Sequence, residues 1–296
     1  MDSRRAHAMY ALITPAYNEE RYLEKTVASV LAQTILPLRW VIVSDGSTDR
    51  TDAIAQSCAR EHPFIRFLRR PKGGGGGDFA AKVRAFGAGY DLLRGVPYQF
   101  LGNLDADVSF EPEYFESILE EYRRSPGLGI ASGRIWEEQD GELRPLPFDD
   151  TRYVSGRVQL FRRECFEAIG GYRPAPLGGE DTIAAVMARM LGWECATFDH
   201  LAVLHHKKGS VARGALKESF RDGAKDYGLG SHPLFQLLKG VRRITQKPYL
   251  VASGVRTAGF FWQYCLKPPR PVDDDFVTFF RSEQWEKVRS RLPALF

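Results

Sequence analysis

Cysteine is scarce in this chain of 296 residues, and its cysteines follow no recognisable spacing. The four lie at positions 58, 165, 195 and 265, with no C-x-x-C pair among them. Small secreted domains usually depend on several disulfides, and structural zinc sites usually contain closely spaced cysteines. The sequence therefore argues against a disulfide framework and against a zinc site, and it suits a reducing compartment.

The sequence also lacks the apolar segments that direct a chain into or across a membrane. Residues 1–8 (MDSRRAHA) contain no apolar core of a secretion signal. The most apolar segment, 249–266, carries Arg256 near its middle and Gln263 further on. Because a spanning helix needs about 20 mostly apolar residues, this segment is a poor candidate for crossing a bilayer. We therefore expect a cytoplasmic protein.

Phosphate-loop and nucleic-acid motifs are missing as well. The five glycines at 73–77 match neither G-x-x-x-x-G-K-[ST] nor G-x-G-x-x-G, so we interpret them as a flexible surface loop. Residues 207–270 hold 13 Lys and Arg against three acidic residues, a net charge of +10, while the whole chain carries +4. No zinc-finger or RNP pattern accompanies these basic residues, and we expect no nucleic-acid partner.

The most informative feature that is present is a pair of aspartates behind an apolar segment. Residues 98–104 (YQFLGNL) predict a buried strand, and Asp105 and Asp107 follow it. Burying ionised carboxylates costs several kcal/mol or more unless they meet a cation or strong donors. A divalent metal, Mg²⁺ or Mn²⁺, explains the pair most simply, and such metals commonly bind phosphates. An Asp-rich turn after a strand is the alternative interpretation.

Strands and helices alternate in the first 70 residues. Residues 10–14 and 40–43 predict strands, each followed by a helical pattern, and 64–68 predict a third strand. Asn18 is the expected cap of the first helix, with Glu19 and Glu20 in its first turn. This alternation predicts a mainly parallel sheet that helices cover on both faces.

In such sheets, ligands bind outside the carboxyl ends of the strands. Three of the predicted strands end in polar or aromatic side chains, at Thr14 to Tyr17, at Asp45, and at Asp105 to Asp107. We therefore expect these three segments to share one binding site.

Four motifs occur along the chain in this order: TPAYNEE (14–20), VSDGSTDRT (43–51), LDAD (104–107) and GGED (178–181). Together they resemble a family 2 glycosyltransferase of GT-A fold, over roughly residues 8–210. The resemblance implies an α/β fold, a single Rossmann-like domain with a mainly parallel central sheet flanked by helices, followed by a C-terminal helical appendage. It also implies an inverting transfer of a sugar from a nucleotide diphosphate donor, with Mn²⁺ or Mg²⁺ and a D-x-D pair holding the diphosphate.

The resemblance assigns roles on the donor side position by position. It places the nucleoside near Thr14, Pro15 and Tyr17, and Asp45 accepts a hydrogen bond from the base. Asp105 lies near the ribose and the metal, and Asp107 is the direct metal ligand. Two basic residues in the helical pattern 80–86, Lys82 and Arg84, match a side chain that reaches the donor, and either is also consistent with a solvated surface position.

The remaining assignments concern catalysis and the metal. Asp181 matches the base that removes the proton of the acceptor hydroxyl, although an acidic helix start would look the same. His205 matches the histidine that completes the metal site. His206 stays open as the alternative, because consecutive side chains of a strand face opposite ways.

One departure from the family pattern bears on how many sugars are transferred in each binding event. No Q-x-x-R-W follows Asp181, which argues against processive polymer synthesis and favours the transfer of one sugar at a time. Two other classes of protein stay open. The segment DADVS (105–109) also resembles the motif of haloacid dehalogenase-type phosphohydrolases, with Asp105 as nucleophile, but the later G-D-x-x-x-D is absent. A non-catalytic scaffold of GT-A shape would lack one of the carboxylates, and none is lost.

We predict a catalytic domain at 1–210 and a basic, amphipathic helical region at 211–296. The nucleotide-sugar half would cover about 8–108 and the acceptor half about 109–210, with a saccharide or lipid-linked acceptor in polysaccharide or glycolipid biosynthesis. In the C-terminal region, a pattern of helical spacing puts Leu234, Phe235, Leu238 and Val241 on one side, with Leu237 as a further candidate, and Lys239, Arg242 and Arg243 on the other.

We expect residues 232–270 to contact an anionic membrane surface from the cytoplasmic side, where apolar and basic side chains act together. The alternative is that the apolar side packs on the catalytic domain or on a second subunit.

Overall fold

A computed structural model describes residues 9–72, 80–139, 141–147, 150–207, 212–242 and 249–291. The glycine run at 73–77 and Arg243 lie outside the described residues. The chain divides into two compact units: the first comprises 1–173 and 180–208, and the second comprises 174–179 and 209–296.

The first unit is built on one mixed sheet. Its strands are β1 (Tyr10–Ala16), β2 (Arg39–Asp45), β3 (Ile65–Arg70), β4 (Phe100–Leu104), β5 (Val108–Phe110), β6 (Leu128–Gln139), β7 (Glu142–Pro145), β8 (Val158–Arg162) and β9 (Glu194–His205). Its helices are α1 (Leu23–Leu31), α2 (Thr51–Glu61), α3 (Ala80–Asp91), α4 (Tyr114–Arg124), α5 (Arg163–Ala168) and α6 (Glu180–Met190). The spatial order of the strands is β3-β2-β1-β4-β8-β6-β9-β5, and β7 pairs with β6.

The predicted α/β fold is confirmed. β1 pairs in parallel with β2 and β4, and β2 pairs in parallel with β3. Beyond β4, β8 runs antiparallel to both β4 and β6, while β9 returns parallel to β6. The parallel part arises because α1, α2 and α3 carry the chain back between successive strands.

Both faces of the parallel strands are buried, as their continuous apolar sequences predict. Tyr10 and Leu12 of β1 belong to one core cluster, and Ala11 and Ile13 belong to the other. The side chains of β2 divide in the same way between the two faces. This alternation leaves the carboxyl ends of the strands as the place where polar groups collect.

The predicted start of the first helix was wrong. α1 begins at Leu23, without a side-chain cap, and Glu24 rather than Glu19 or Glu20 lies in its first turn. Asn18 has a φ of 55°, and its Oδ1 accepts a hydrogen bond from the backbone N–H of Thr48 at 2.9 Å. A tertiary contact with the next loop has therefore replaced the local cap, as asparagine's tolerance of this conformation permits.

The second unit is helical, as predicted for the C-terminal region, with α7 (Ala212–Gly228), α8 (Pro233–Arg242), α9 (Tyr249–Leu266) and α10 (Asp274–Arg291). α7 and α9 approach closely, since a Cβ on Gly223 would lie 1.9 Å from the carbonyl oxygen of Arg256. No helix in the described part of the chain combines the length and the apolar character that crossing a bilayer requires.

Buried charges join α7, α8 and α9 of the second unit. Asp226 is 7% exposed, and its carboxylate lies 3.1 Å from Lys239 Nζ and 2.9 Å from Arg256 Nη2. Arg256 also pairs with Asp222 at 2.9 Å. Lys239 was expected on the side of the helix away from the apolar residues, and the buried aspartate draws it toward the interior of the second unit.

α8 nevertheless presents an apolar surface. Leu234, Leu237, Leu238 and Val241 follow helical spacing and are each between 43% and 66% exposed. We call these four residues the α8 stripe. Phe235, expected on the same side, is half-buried instead.

Candidate active site

The predicted site residues meet at one edge of the first unit's sheet. In the pairing of β1 with β2, Pro15 lies opposite Val43 and Ala16 opposite Ser44, so Tyr17 and Asp45 follow side by side. In the pairing of β1 with β4, Ile13 lies opposite Asn103, two residues before Asp105. The register of the parallel strands thus brings together motifs that are 90 residues apart in the sequence.

The segment 14–17, at the end of β1, contains both buried and exposed residues. Thr14 is fully buried, and its Oγ1 accepts a hydrogen bond from Trp40 Nε1 at 2.9 Å. Pro15 is half-buried, and Tyr17 is 40% exposed. Lys72 Nζ lies 4.0 Å from the centre of the Tyr17 ring and donates a hydrogen bond to its hydroxyl. Tyr17 is therefore the member of this segment that offers a ring to a ligand, whereas the hydroxyl of Thr14 is engaged in the core.

A basic cavity adjoins Asp45. Asp45 is 7% exposed, and its carboxylate lies 3.4 Å from Arg70 Nη1. The cavity has a volume of about 450 Å³, and its lining consists of Gly46, Arg69, Arg70, Pro71 and Lys72. A site with one buried acceptor and several cations suits an anionic ligand that also carries an N–H group.

Asp105 is paired with a cation from α3. Lys82 Nζ lies 2.6 Å from Asp105 Oδ1 and 4.0 Å from Glu180 Oε1. Burial lowers the pKa of Lys82, but the carboxylates of Asp105 and Glu180 outweigh burial and raise it. Lys82 is therefore protonated, and it joins the D-A-D segment to the G-G-E-D segment. Arg84, the other basic candidate of the predicted helix, is exposed.

Asp107 faces a histidine rather than a lysine. His205 Nε2 lies 3.3 Å from Asp107 Oδ2, and His205 Nδ1 lies 2.7 Å from Glu137 Oε1. Burial lowers the pKa of His205, but its hydrogen bonds with Asp107 and Glu137 outweigh burial and raise the pKa to about 9. The neighbouring His206 points elsewhere, since its Nε2 lies 2.8 Å from Ser109 Oγ.

The residues present fit a divalent metal that is held partly by its substrate. Within the described ranges, no group of three or more His, Cys, Asp or Glu side chains is arranged to hold a metal ion. Asp107 and His205 supply one carboxylate and one imidazole, with donor atoms 3.3 Å apart. Mg²⁺ is usually bound through one or two carboxylates together with phosphate oxygens and water, rather than by a cage made of protein alone. Imidazole with carboxylate also suits Mn²⁺.

Asp181 lies in the first turn of α6, held by backbone donors. Its Oδ2 accepts a hydrogen bond from the N–H of Gly156 at 3.0 Å, and its Oδ1 accepts one from the N–H of Thr182 at 2.7 Å. The hydroxyl of Tyr153 is 3.4 Å from Oδ2. The carboxylate is therefore fixed in orientation.

Several residues of this region were missed from the sequence. Glu137 lies on β6 and shares its Oε1 between His205 and Arg157 Nη2, the latter at 3.0 Å. Glu19 pairs with Lys207 Nζ at 2.8 Å, and burial raises the pKa of Glu19. Glu19 belongs to a recognised motif and could have been singled out, whereas no local pattern marks Glu137 or Arg157.

The strand order bears on the phosphohydrolase alternative. That class requires its nucleophilic aspartate after the first strand, whereas Asp105 follows β4. Asp105 is also paired with Lys82 rather than presented alone. Nothing in the part of the chain that the structure describes thus favours this alternative.

Comparison with known proteins gives one family. The family model described as "Glycosyl transferase family 2" matches residues 11–173. The chain is 36% identical to the chondroitin synthase of Escherichia coli over 120 residues, which are 40% of this chain and 16% of that protein. It is 26% identical over 194 residues to the glucosyl-dolichyl phosphate glucuronosyltransferase of Haloferax volcanii, 55% of each protein. The chain thus spans only part of the length of these relatives.

Solved structures with the same fold include two complexes with nucleotide sugars. A mannosyltransferase from Pyrobaculum calidifontis, in complex with GDP-Man and Mn²⁺, superposes with a TM-score of 0.55 at 17% identity, over 97% of this chain and 87% of that one. TarS (1–349) of S. aureus, in complex with UDP-GlcNAc, has a TM-score of 0.55 at 15% identity, over 86% and 71% of the two chains. At these identities the similarity establishes the fold.

Proposed function

The chain belongs to glycosyl transferase family 2, and from this premise we propose that it transfers a single sugar from a nucleotide diphosphate sugar to an acceptor hydroxyl, with inversion at the anomeric carbon. One observation carries the proposal: Lys82 lies between Asp105 and Glu180, so the donor aspartates and the candidate base occupy one site. The fold neighbours bind GDP-Man and UDP-GlcNAc, which supports a nucleotide sugar as donor.

The donor's nucleoside would bind between Tyr17 and Asp45, whose carboxylate can only accept a hydrogen bond and so suits a ring N–H of a base. Thr14 and Pro15, at the end of β1, would form the bottom of this nucleoside-binding site, beside the basic cavity. Lys82 would orient Asp105 toward the ribose side of the donor. The proposed role of Asp45 explains why its buried carboxylate lies beside a cavity that is lined largely by basic side chains.

Asp107 and His205 would hold Mn²⁺ or Mg²⁺, with Asp105 close to the same ion. Once bound, the metal would stabilise the negative charge that develops on the departing diphosphate. Glu137 fixes the imidazole of His205 so that Nε2 faces Asp107. An orienting carboxylate behind a histidine ligand is the usual arrangement at protein metal sites.

Asp181 would act as the general base. It accepts the proton of the acceptor hydroxyl while that oxygen attacks the anomeric carbon from the face opposite the diphosphate, which inverts the configuration. Two backbone N–H groups hold the carboxylate, so it is already oriented before the acceptor arrives. A positioned base of this kind contributes about 10² to 10⁴ in rate.

Donor turnover tests the proposal without knowledge of the acceptor. We expect release of nucleoside diphosphate from one member of a panel of UDP, GDP and dTDP sugars, dependent on Mn²⁺ or Mg²⁺. Asp181→Asn should lower kcat by about 10² or more and leave the donor KM near that of the wild type. Asp91→Asn, on the exposed end of α3, is the matched control and should change neither.

The configuration of the first sugar product, followed by NMR, tests inversion directly. A retained configuration, or full turnover by Asp181→Asn, would contradict the assignment of the base. Turnover that persists with all metal removed would contradict the assignment of the metal.

The acceptor proposal combines the relatives with the second unit. The relatives named above are a polysaccharide synthase and a glycosyltransferase acting on a lipid phosphate sugar, so we propose a saccharide or lipid-linked acceptor. The α8 stripe and the net charge of +10 over 207–270 support peripheral contact with an anionic membrane surface on the cytoplasmic side. Lys239 and Arg256 are engaged by Asp226, so the attraction would come from other basic residues.

Vesicle co-sedimentation tests the membrane contact. The full chain should bind vesicles of phosphatidylglycerol, bind less as salt is added, and bind vesicles of phosphatidylcholine weakly. Leu237→Ser combined with Leu238→Ser should reduce binding without unfolding the chain, because both leucines are exposed. Leu143→Ser, at a leucine of the first unit that is 56% exposed, is the control. Equal binding to both vesicles, or binding to neither, would refute the contact.

A further inference from the structure

Gly156 lies between the donor aspartates and the candidate base, and its backbone contacts both. Its N–H donates to Asp181 Oδ2 at 3.0 Å. Its carbonyl oxygen accepts hydrogen bonds from Lys82 Nζ at 3.0 Å and from Asn103 Nδ2 at 2.7 Å. Lys82 is the same residue that pairs with Asp105 at 2.6 Å. Gly156 thus connects Asp181 with the D-A-D segment: its N–H makes one hydrogen bond to Asp181, and its carbonyl oxygen accepts two, from Lys82 and Asn103.

There is no room for a side chain at this position. A Cβ on Gly156 would lie 2.9 Å from Asp181 Cβ, 3.0 Å from Oδ2 and 3.1 Å from Cγ. Real Cβ atoms essentially never approach another atom to 2.9 Å, and contacts of 3.0 and 3.1 Å are tighter than nine in ten of those that real Cβ atoms make. The nearest atom, Asp181 Cβ, cannot move by a change of side-chain rotamer alone. The φ angle of Gly156 lies outside the left-handed region, so the requirement for glycine comes from contact with Asp181 rather than from backbone conformation.

The carbonyl side of Gly156 is held by a buried residue of the sheet. Asn103 is 2% exposed and is paired within the sheet at the end of β4, so the group that holds the carbonyl belongs to the core. Asp105 follows two residues later on the same strand end. Gly156 therefore couples the position of Asp181 to the end of β4, where Asp105 and Asp107 follow.

We propose that Gly156 is a positioning residue, which sets the distance and orientation of the Asp181 carboxylate relative to the sugar held at the D-A-D segment. The inference rests on the proposed function, since it takes Asp181 as the base. Displacing a catalytic group by about 1 Å can cost about 10² in rate, because the reacting atoms must be aligned before the proton moves. A methyl group at residue 156 would force Asp181 to shift from its present position, because the new Cβ would lie 2.9 Å from Asp181 Cβ.

Gly156→Ala is the primary test, measured by donor turnover with Mn²⁺ present. We expect kcat to fall by about 10², with the donor KM and the affinity for nucleoside diphosphate near those of the wild type. Gly87→Ala is the matched control. It adds the same methyl group to α3 at a position where no described atom lies within 4 Å of the new Cβ, and it should leave kcat unchanged.

A double-mutant cycle separates positioning from general damage to the structure. If Gly156→Ala acts through the base, then Gly156→Ala combined with Asp181→Asn should be no slower than Asp181→Asn alone. Losses that multiply would overturn the proposal, and so would a Gly156→Ala protein with the kcat of the wild type. If Asp181→Asn itself keeps full turnover, the assignment of the base fails first, and the two failures are distinguished.

Thermal unfolding keeps the proposal testable if Gly156→Ala folds poorly. Asp181→Gly removes all three atoms that the new methyl group would meet. Gly156→Ala should therefore lower the unfolding temperature clearly in the wild-type background and little in the Asp181→Gly background. If the methyl group lowers it equally in both backgrounds, it acts through a different neighbour, and the proposed role of Gly156 is refuted.

Discussion

Glu137 offers a direct test of how the metal site is organised, because it contacts a proposed ligand and not the metal itself. Its Oε1 lies 2.7 Å from His205 Nδ1 and 3.0 Å from Arg157 Nη2. The hydrogen bond with His205 holds the pKa of Glu137 below its usual value, so the carboxylate is ionised. We expect that removing this carboxylate weakens metal binding while Asp107 and His205 are both present.

The size of the effect follows from what each substitution leaves behind. Loss of a group that orients a histidine ligand typically costs 10- to 100-fold in metal affinity, or about 1.4 to 2.7 kcal/mol. Glu137→Gln keeps an oxygen that can accept from Nδ1–H but loses the charge shared with Arg157, so we expect about a tenfold loss. Glu137→Ala leaves His205 without this partner, and we expect a loss near 100-fold.

The assay is titration with Mn²⁺ in the presence of saturating nucleoside diphosphate, with free Mn²⁺ followed by electron paramagnetic resonance. Glu138→Gln is the control, because it makes the same change of charge at the next residue of β6, where the side chain is exposed. If Glu137→Ala binds Mn²⁺ as tightly as the Glu138→Gln control, then either His205 is not a ligand or Glu137 does not orient it.

Two further predictions concern the aspartates of the two units. Asp107→Asn should abolish donor turnover without unfolding the chain, and chelation of the metal in the wild type should mimic it; stabilisation by nucleoside diphosphate in chelator would argue against this. Asp226→Asn should lower the unfolding free energy of the second unit by about 3 to 5 kcal/mol, because Lys239 and Arg256 would lose their buried counter-charge. Asp222→Asn, at a more exposed aspartate, should lower the free energy of unfolding clearly less. Equal decreases for the two variants in urea unfolding would show that burial of Asp226 does not set the size of the effect.

The same buried cluster predicts a dependence on pH. Burial raises the pKa of Asp226, but Lys239 and Arg256 outweigh burial and lower it well below its usual value. Because the folded pKa is depressed, the stability from this group is fully present above about pH 4, the unfolded value, and is lost as the pH falls further. Urea unfolding of the second unit between pH 5 and pH 2 should show this loss, and Asp226→Asn should flatten the slope.

The sequence by itself determined the parallel half of the sheet and the residues at its edge. Continuous apolar stretches and helical spacing are local properties, and they were sufficient to predict β1, β2, β4 and the helices between them. Asp105 and Asp107 could be singled out for the same reason. Burying a carboxylate is costly, and both the apolar strand and the aspartates that follow it lie within a few residues of sequence. The family resemblance then supplied roles for residues that local chemistry alone left ambiguous.

Only the tertiary structure decided which groups these carboxylates meet. Glu137 and His205 are 68 residues apart, and they meet because β9 returns parallel to β6 in one particular register. Asn18 is drawn into a contact with Thr48, 30 residues away, although its position before a helical pattern favours a cap. Lys239 turns toward Asp226 because a buried charge without a partner costs more than a buried lysine side chain. Each outcome depends on strand register or helix packing, which are set by the whole fold and not by the neighbouring residues.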